Sequence, residues 1–363
     1  MYYWGQRSRS RTGTCRKRKG FAVTARNDEV MAAFSRAFVI LNPAACHGRA
    51  VDGVSRIRSL LRGRIDFELS LTTEPWHAQA LARGAVREGY DLIVAAGGDG
   101  TAHEAANGIM AETGRVEVDT KDASLQISGA QAKPGTGRPR APAMPVLAVL
   151  PLGSGNDYAH TLGMSSKLSM AIDEIISGET RKVDAGTCNG VIFTNSVGMG
   201  FDGRVTHRAL EMRPTARLSG FPLYFAALTD ILRHDFHGYR ARLSIDRSEP
   251  AVRPFLMLTV THGPTYGGGF KITPQAINGD GLFDYCLVDD LSLADALWRV
   301  PLVVLGRHNW MKKVMTGRAE HIVLEADEEL FAQLDGEPYR ASRFELSVLP
   351  SVLTAVVGRR WKD

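Results

Sequence analysis

The chain has 363 residues, of which 44% are hydrophobic and 23% charged, and its formal net charge is +5. This length and this proportion of hydrophobic to charged residues fit a globular protein of two ordinary domains with a sizeable core. The longest apolar runs, such as "VLAVLPL", fall far short of the ~20 residues that a membrane-spanning helix needs, so a soluble protein is expected. The four cysteines show no CxxC and no zinc-ligand spacing, which indicates free thiols in a reducing compartment.

Much of the positive charge lies in an N-terminal arm. Residues 1–27 contain eight Arg or Lys and no acid. Three interpretations stay open: a basic tail that contacts an anionic surface, an organellar transit peptide, or residues upstream of a true start at Met31. We assign residues 1–35 to a basic, disordered arm. Since the body is close to neutral, no specific nucleic-acid partner is expected.

The first half of the body alternates strands and helices. "AFVILNP", "FELSLTT" and "DLIVAA" read as strands, and "VSRIRSLL" and "AQALARGAVREG" read as the helices between them. This alternation predicts an α/β domain with a parallel sheet, here bounded at residues 36–183. Residues 113–143, rich in Gly, Pro and basic residues, are predicted to be a flexible insertion.

The pattern changes near Lys182. Short strands follow one another with turns between them, which predicts a mostly antiparallel, β-rich second domain over residues 184–350. Helices interrupt it around "LYFAALTDILRH" and "LADALWRVPLVVLG".

A glycine-rich turn, "GGDGT", follows the third strand and precedes a helix. Gly97 and Gly98 let the backbone approach a ligand closely, and N–H groups at a helix N-terminus suit phosphate. Asp99 would repel phosphate unless a divalent cation lies between them. The alternative is a tight turn with Asp99 or Thr101 as the helix cap.

A second such turn, "LPLGSGND", ends the next strand. It holds the hydroxyl of Ser154, the amide of Asn156 and the carboxylate of Asp157. Ligands of α/β sheets bind outside the carboxyl ends of the strands, so the two turns are expected to face one crevice. Asn156 and Asp157 alone could equally be a helix cap.

Three acids in the second half have both a functional and a structural interpretation. Glu337, just after the hairpin dipeptide Asp335-Gly336, is either a general base or an exposed side chain. Asp280 lies in a hairpin turn or holds a cation, and Asp184 is a cap or a third acid near a metal. The chain has no GxxxxGK[ST], which excludes a P-loop enzyme.

Taken together and in this order, the motifs resemble the diacylglycerol kinase catalytic domain family, which includes sphingosine and ceramide kinases. They are "NPAACHG", "TTEPWHA", "GGDGTAHEAANG", "LPLGSGND", "KVDAG", "NGDGLFD" and "LDGEP". "GGDGT" is shared with NAD kinases and phosphofructokinases. The trailing Glu104 and Asn107, the "GSGND" turn and "LDGE" favour lipid kinases.

The resemblance implies an ATP-dependent lipid kinase, most simply one that converts diacylglycerol to phosphatidic acid. It implies an N-terminal domain of NAD kinase/diacylglycerol kinase type, Rossmann-like, that binds ATP, and a C-terminal domain that binds the lipid. Residues 351–363 are expected to return to the first domain. The implied nucleotide-binding residues are Asn42, Pro43, Thr73, Gly97, Gly98, Asp99, Gly100, Thr101, Glu104, Asn107, Ser154, Asn156 and Asp157.

The implied cofactors are ATP and Mg²⁺. Asp99, Asp157 and Asp184 match acids that organise the catalytic magnesium, and Asp99, Asp184 and Glu337 match catalytic residues, with Glu337 as the general base. Some members carry a structural magnesium, which would match Ile277, Asp280 and Leu282 here.

The expected partner is a lipid at a membrane surface, for a cytoplasmic and peripherally associated protein, and a homodimer stays open. Two alternatives remain: a kinase of a soluble substrate, such as NAD, and a non-catalytic regulator that binds nucleotide or lipid.

Overall fold

The structure is a computed structural model that describes residues 33–46, 50–114, 144–213, 216, 218, 220–308 and 310–362. The predicted arm up to residue 32, with the alternative start at Met31, lies outside these residues. So does the predicted insertion from residue 115 on. Residues 32–363 form one compact unit.

The first half of this unit is built from alternating strands and helices. The strands are β1 (Arg36–Leu41), β2 (Asp66–Leu71), β3 (Leu92–Gly97) and β4 (Val146–Pro151). The helices are α1 (Ala50–Leu61), α2 (His77–Arg87), α3 (Asp99–Glu112), α4 (Asp157–Thr161) and α5 (Leu168–Ser177), with a 3-10 turn at Pro43–Cys46.

These four strands pair in parallel in the order β2-β1-β3-β4. Every residue of β3 is buried, as expected for a strand that helices cover on both faces. Because the strands are parallel, their carboxyl ends lie at one edge of the sheet. The turns that follow them are thereby brought together.

The second half is mostly antiparallel. Its strands are β5 (Thr180–Cys188), β6 (Val191–Phe193), β7 (Ser196–Gly200), β8 (Tyr239–Ile245), β9 (Ala251–Thr261), β10 (Phe283–Asp289), β11 (Val314–Ala319), β12 (His321–Leu334) and β13 (Glu337–Val356). Its helices are α6 (Phe201–Met212), α7 (Phe221–His234) and α8 (Leu293–Val304). β8 pairs with both β9 and β12, so the strands curl around a core of their own.

One long strand joins the two halves. β13 pairs with β12 and β5 in the second half, and Ala355 near its end pairs in parallel with Leu147 of β4. Leu353 and Val356 are buried in the core of the first half. A single sheet therefore runs through both halves, from β11 to β2.

Helices α6, α7 and α8 pack with β9 and β10 around a third apolar cluster. Within the described parts of the chain, no helix combines the length and apolar character that crossing a bilayer requires.

Candidate active site

The first strand end and the third are tied together at the sheet edge. Asn42 follows β1, and its side-chain amide donates to the hydroxyl of Thr101 at 3.2 Å. Its backbone N–H donates to the carbonyl of Ala96 in β3 at 3.0 Å. Thr73, which follows β2, pairs through its hydroxyl with Nδ1 of His77 at 2.9 Å. These hydrogen bonds join the turns after β1 and β3 and hold the turn after β2 against the start of α2.

The two glycine-rich turns touch each other. A methyl group added at Gly153 would come within 2.5 Å of the Cα of Gly98. Only glycine allows this approach, because any larger residue would push the turns apart. The Asn156 side chain stabilises the second turn, since it accepts from the N–H of Gly153 at 2.9 Å and donates to its carbonyl at 2.7 Å.

Two carboxylates flank the second turn. A methyl group at Gly155 would lie 2.9 Å from Oδ2 of Asp99 and 3.4 Å from Oδ2 of Asp157. Desolvation raises the pKa of Asp99, and desolvation together with the Asp99 charge raises the pKa of Asp157 to about 7. Proteins commonly hold Mg²⁺ with one or two carboxylates plus substrate phosphates, and this pair fits that requirement.

The second half of the chain reaches over to Asp157. The N–H groups of Gly268 and Gly269 donate to its two carboxylate oxygens at 2.6 and 2.9 Å. Both glycines have positive φ angles, which turn their N–H groups toward Asp157. The glycine run in "YGGGF" is the sequence signal for this contact, but it belongs to none of the motifs named above.

Glu337 lies at the first glycine-rich turn. A methyl group at Gly100 would come within 2.7 Å of Oε1 of Glu337, so the carboxylate packs on the Cα of Gly100. Although 237 positions separate the two in the chain, the fold brings an acid of the second half onto the turn predicted to bind phosphate.

A buried ion pair holds the Glu337 hairpin against α3. Nδ1 of His103 lies 2.9 Å from Oδ2 of Asp335, and each side chain is only 1% exposed. Asp335 also accepts from the backbone N–H groups of Thr194, Asn195 and Ser196 at 2.7 to 2.9 Å. Burial alone would lower the pKa of His103, but the hydrogen bond and charge of Asp335 outweigh it and raise the pKa.

A cavity of about 280 Å³ opens at these residues. Its polar end includes Gly98, Asp99, Ser154, Asp157 and Glu337. Its interior is apolar and is lined by side chains of α6, α7, α8, β9 and β10, among them Val205, Leu228, Leu256, Val288 and Val303. The edge predicted to bind phosphate and a mostly apolar chamber thus share one space.

Comparison with known proteins agrees with this architecture. Residues 36–188 match the diacylglycerol kinase catalytic domain, and residues 195–357 match the YegS C-terminal NAD kinase beta sandwich-like domain. The chain belongs to the diacylglycerol kinase catalytic domain family. The resemblance carried by the motifs is thereby confirmed.

Relatives of this family match over most of their length. A diacylglycerol kinase of Mycobacterium tuberculosis is 27% identical over 328 residues, which cover 88% of this chain and 94% of that protein. YtlR of Bacillus subtilis is 27% identical over 336 residues, which cover 87% and 97%. The crystal structure of a diacylglycerol kinase from Bacillus anthracis superposes on this chain with a TM-score of 0.62 at 18% identity. The superposition covers 90% of this chain and 98% of that one, and it supports the fold.

Three residues that the family resemblance implies at the nucleotide or metal form hydrogen bonds within the protein. Glu104 accepts from the N–H of Ala78 at the start of α2 at 3.0 Å. The Asn107 amide donates to the carbonyls of His103 and Ile192. Asp184 is fully buried and accepts from three backbone N–H groups, those of Gly279, Gly281 and Ser351, at 2.7 to 3.1 Å. It does not line the cavity with Asp99 and Asp157.

In the turn matched to the family's structural magnesium, the aspartate has protein partners. Asp280 forms an ion pair with the guanidinium of Arg318, and its Oδ1 accepts from the N–H of Leu282 at 3.1 Å. Ile277 is exposed. A metal at this turn would therefore compete with Arg318 for the oxygens of the Asp280 carboxylate. Among the described residues, no cluster of three or more His, Cys, Asp or Glu is suited to one.

Sequence reasoning missed further polar residues of the site. His103 and Asp335 form the buried pair, and Asp202 lies in the cavity, where it accepts from the hydroxyl of Tyr266 at 2.8 Å and the amide of Gln333 at 3.3 Å. The sequence indicates only a turn at Asp335. No local pattern marks Asp202 or His103, because their partners lie 64 and 232 positions away.

Proposed function

We propose that this protein is an ATP-dependent lipid kinase that transfers the γ-phosphate to a lipid hydroxyl, with diacylglycerol as the substrate to test first. The cavity carries the proposal. Its polar end holds the two glycine-rich turns and Glu337, and its interior offers apolar side chains. A substrate with a hydroxyl at one end and an acyl chain behind it matches both parts.

Nucleotide binding is assigned to the carboxyl edge of the parallel sheet. The backbone from Gly97 to Thr101, together with Asn42, Pro43, Thr73 and Ser154, would bind ATP with the phosphates at the N-terminus of α3. There, free N–H groups and the helix dipole favour negative charge. Asp99 and Asp157 would hold Mg²⁺, which supplies charge neutralisation for phosphoryl transfer when bound.

Glu337 is assigned as the general base. Its carboxylate takes the proton from the lipid hydroxyl as the hydroxyl oxygen forms a bond to the γ-phosphorus. The bond from that phosphorus to the bridging oxygen of the β-phosphate breaks, and ADP leaves. The contact between Glu337 and Gly100 supports this role, because a base must lie within reach of both nucleophile and phosphate.

An apolar interior favours a lipid over a soluble substrate. Each methylene transferred from water into such a chamber contributes about 0.8 kcal/mol. A polar substrate would lose hydration and gain only a few partners, such as Asp202, Arg299 and Gln333. The names of the Mycobacterium and Bacillus anthracis relatives make diacylglycerol the first choice.

The test is phosphate transfer from labelled ATP to a panel of lipids in mixed micelles with Mg²⁺. Wild-type protein is expected to phosphorylate diacylglycerol. Glu337→Gln should lower kcat by about 100-fold or more, since general bases contribute about 10²- to 10⁴-fold, and should leave ATP affinity within about twofold.

The matched control is Glu328→Gln, the same change at an exposed position of β12, which should keep full activity. Full activity of Glu337→Gln would overturn the base assignment. Failure of the wild type on every lipid, with transfer to a soluble acceptor in a lipid-free assay, would overturn the lipid kinase proposal.

A further inference from the structure

Helix α8 presents two different faces. Its inner face belongs to the cavity: Arg299 and Val303 line it, and Ala296 is fully buried in the third apolar cluster. The helix begins at a cap, where the Ser292 hydroxyl accepts from the N–H of Asp295 at 3.1 Å. It is therefore a fixed wall of the chamber that we assign to the lipid.

Its outer face is apolar as well. Among the side chains of α8 that the structure describes, all the exposed ones are apolar: Leu293, Ala294, Leu297, Trp298 and Pro301. Leu297 is 59% exposed and Trp298 47%. A surface helix ordinarily turns polar residues outward, and a contiguous exposed apolar face marks an interaction site.

Further exposed apolar and basic residues follow the helix directly in the chain. From Leu305 to Lys313 the chain carries three Lys or Arg and no acid. Leu305 is 59% and Trp310 68% exposed. Arg307 and Lys312 are exposed and form no ion pair within the described part of the chain. Exposed tryptophan beside leucine and unpaired cations is the composition of surfaces that lie in the headgroup region of bilayers.

We infer that the outer face of α8 with the segment Leu305–Lys313, here called the α8 surface, docks on an anionic phospholipid bilayer. The proposed substrate resides in such a bilayer. Only one helix, α8 itself, lies between its outer face and the chamber. Leu293, Leu297, Trp298, Leu305 and Trp310 would enter the headgroup boundary, and Arg307 and Lys312 would meet anionic headgroups.

A second copy of the chain is a poorer occupant for this surface. Two α8 surfaces packed on each other would bring their unpaired cations into one interface, where they repel and lose hydration. Anionic headgroups neutralise the same charges. The inference rests on the proposed function only for the identity of the lipid drawn into the cavity.

The experiment measures binding of the full chain to vesicles containing about 30% phosphatidylglycerol in phosphatidylcholine. Leu297→Glu should weaken vesicle binding by about 10- to 100-fold, the effect of losing one buried leucine. Arg307→Gln and Lys312→Gln should each weaken it about fivefold. The control, Met170→Glu, changes an apolar residue of α5 that is 38% exposed, and should bind like wild type.

Repeating the measurement in about 1 M NaCl, where the Debye length is about 3 Å, suppresses binding through the basic N-terminal arm and leaves the apolar contribution. Leu297→Glu should still weaken binding there. A kinase assay on a monomeric short-chain diacylglycerol should give equal rates for Leu297→Glu and wild type, whereas on vesicle-embedded lipid the variant should be slower.

Unchanged vesicle binding by Leu297→Glu overturns the inference. So does a wild-type dimer that this variant dissociates while its vesicle binding stays intact, because a second copy then covers the surface. A wild type without lipid kinase activity, whose vesicle binding Leu297→Glu still weakens, refutes the proposed function and supports the α8 surface.

Discussion

At the scale of single residues, the contact of Glu337 with Gly100 can be tested most directly. Gly100 is in the first turn of α3 and has no positive φ, so the backbone there would accept alanine. Among the described residues, a Cβ at this position meets only the carboxylate of Glu337, with Oε1 at 2.7 Å, and this group is the tip of a flexible side chain. The substitution should therefore displace the Glu337 carboxylate without destabilising the fold.

We accordingly predict that Gly100→Ala keeps or slightly raises the free energy of unfolding, by up to about 1 kcal/mol, because alanine favours a helix. Its kcat should fall by about 10- to 100-fold, since Glu337 must move. Gly84→Ala in α2, where a Cβ meets no atom within 4 Å, is the control for both measurements and should retain kcat. Wild-type kcat for Gly100→Ala would contradict the proposed position of the base.

Asp202 gives a pH-dependent prediction. Burial raises its pKa to about 6 from an ordinary 3.8. An acid with a raised folded-state pKa binds more protons folded than unfolded, so its contribution lowers stability as pH rises from about 4 to about 6. The total is about 3 kcal/mol at about 1.4 kcal/mol per unit of pKa.

Asp202→Asn removes this penalty. Its free energy of unfolding, relative to wild type, should rise by up to about 3 kcal/mol between pH 4 and pH 7 in urea denaturation, then level off. If the difference in free energy of unfolding between Asp202→Asn and wild type does not vary with pH, burial does not raise the pKa of Asp202.

At the scale of elements, the ion pair of His103 with Asp335 fastens α3 to the hairpin between β12 and β13. Burial opposes both charges, yet the pair raises the pKa of His103 and lowers the pKa of Asp335. The His103 contribution is full below its unfolded pKa near 6.5 and is lost as pH rises through the folded value. The Asp335 contribution is full above about 3.8 and is lost as pH falls through the folded value.

His103→Gln should therefore cost about 3 to 5 kcal/mol near pH 5.5, as expected for breaking a buried pair, and less as pH rises. Chemical denaturation at several pH values measures this. His237→Gln, which removes an exposed histidine 3.4 Å from Asp235, should change stability by less than about 1 kcal/mol. Equal costs for both variants would mean that the buried pair does not fasten the two elements.

At the scale of the whole molecule, β13 makes the two halves depend on each other. Leu353 is fully buried in the first core, whereas Phe344 and Leu346 of the same strand are buried in the second. Leu353→Ala should cost about 2 to 5 kcal/mol in one cooperative transition that both halves share. The same change at Leu71, which is 44% exposed, should cost far less. Two separate transitions, only one of them shifted, would contradict this coupling.

The sequence alone pointed to the strand ends that meet at the sheet edge. In a strand-turn-helix sequence the turn follows the carboxyl end of the strand. Glycines beside acids in such a turn are typical of turns that bind phosphate and metal. For this reason the sequence groups Gly98, Asp99, Ser154 and Asp157 at one edge of the sheet. Helix α6 was not predicted, although Phe201, Val205 and Ala209 recur at helical spacing and form its buried side.

The tertiary structure decided what depends on distant partners. An isolated sequence window gives Asp184, Asp280 and Asp335 structural roles as a cap or in turns, without their partners. Only the fold shows that Asp184 clamps backbone N–H groups, that Asp280 meets Arg318, and that Asp335 pairs with His103. Local residue order sets turn chemistry, but burial and charge pairing depend on side chains far along the chain. That is why the family could be recognised from motifs, while the apolar chamber and the α8 surface could not.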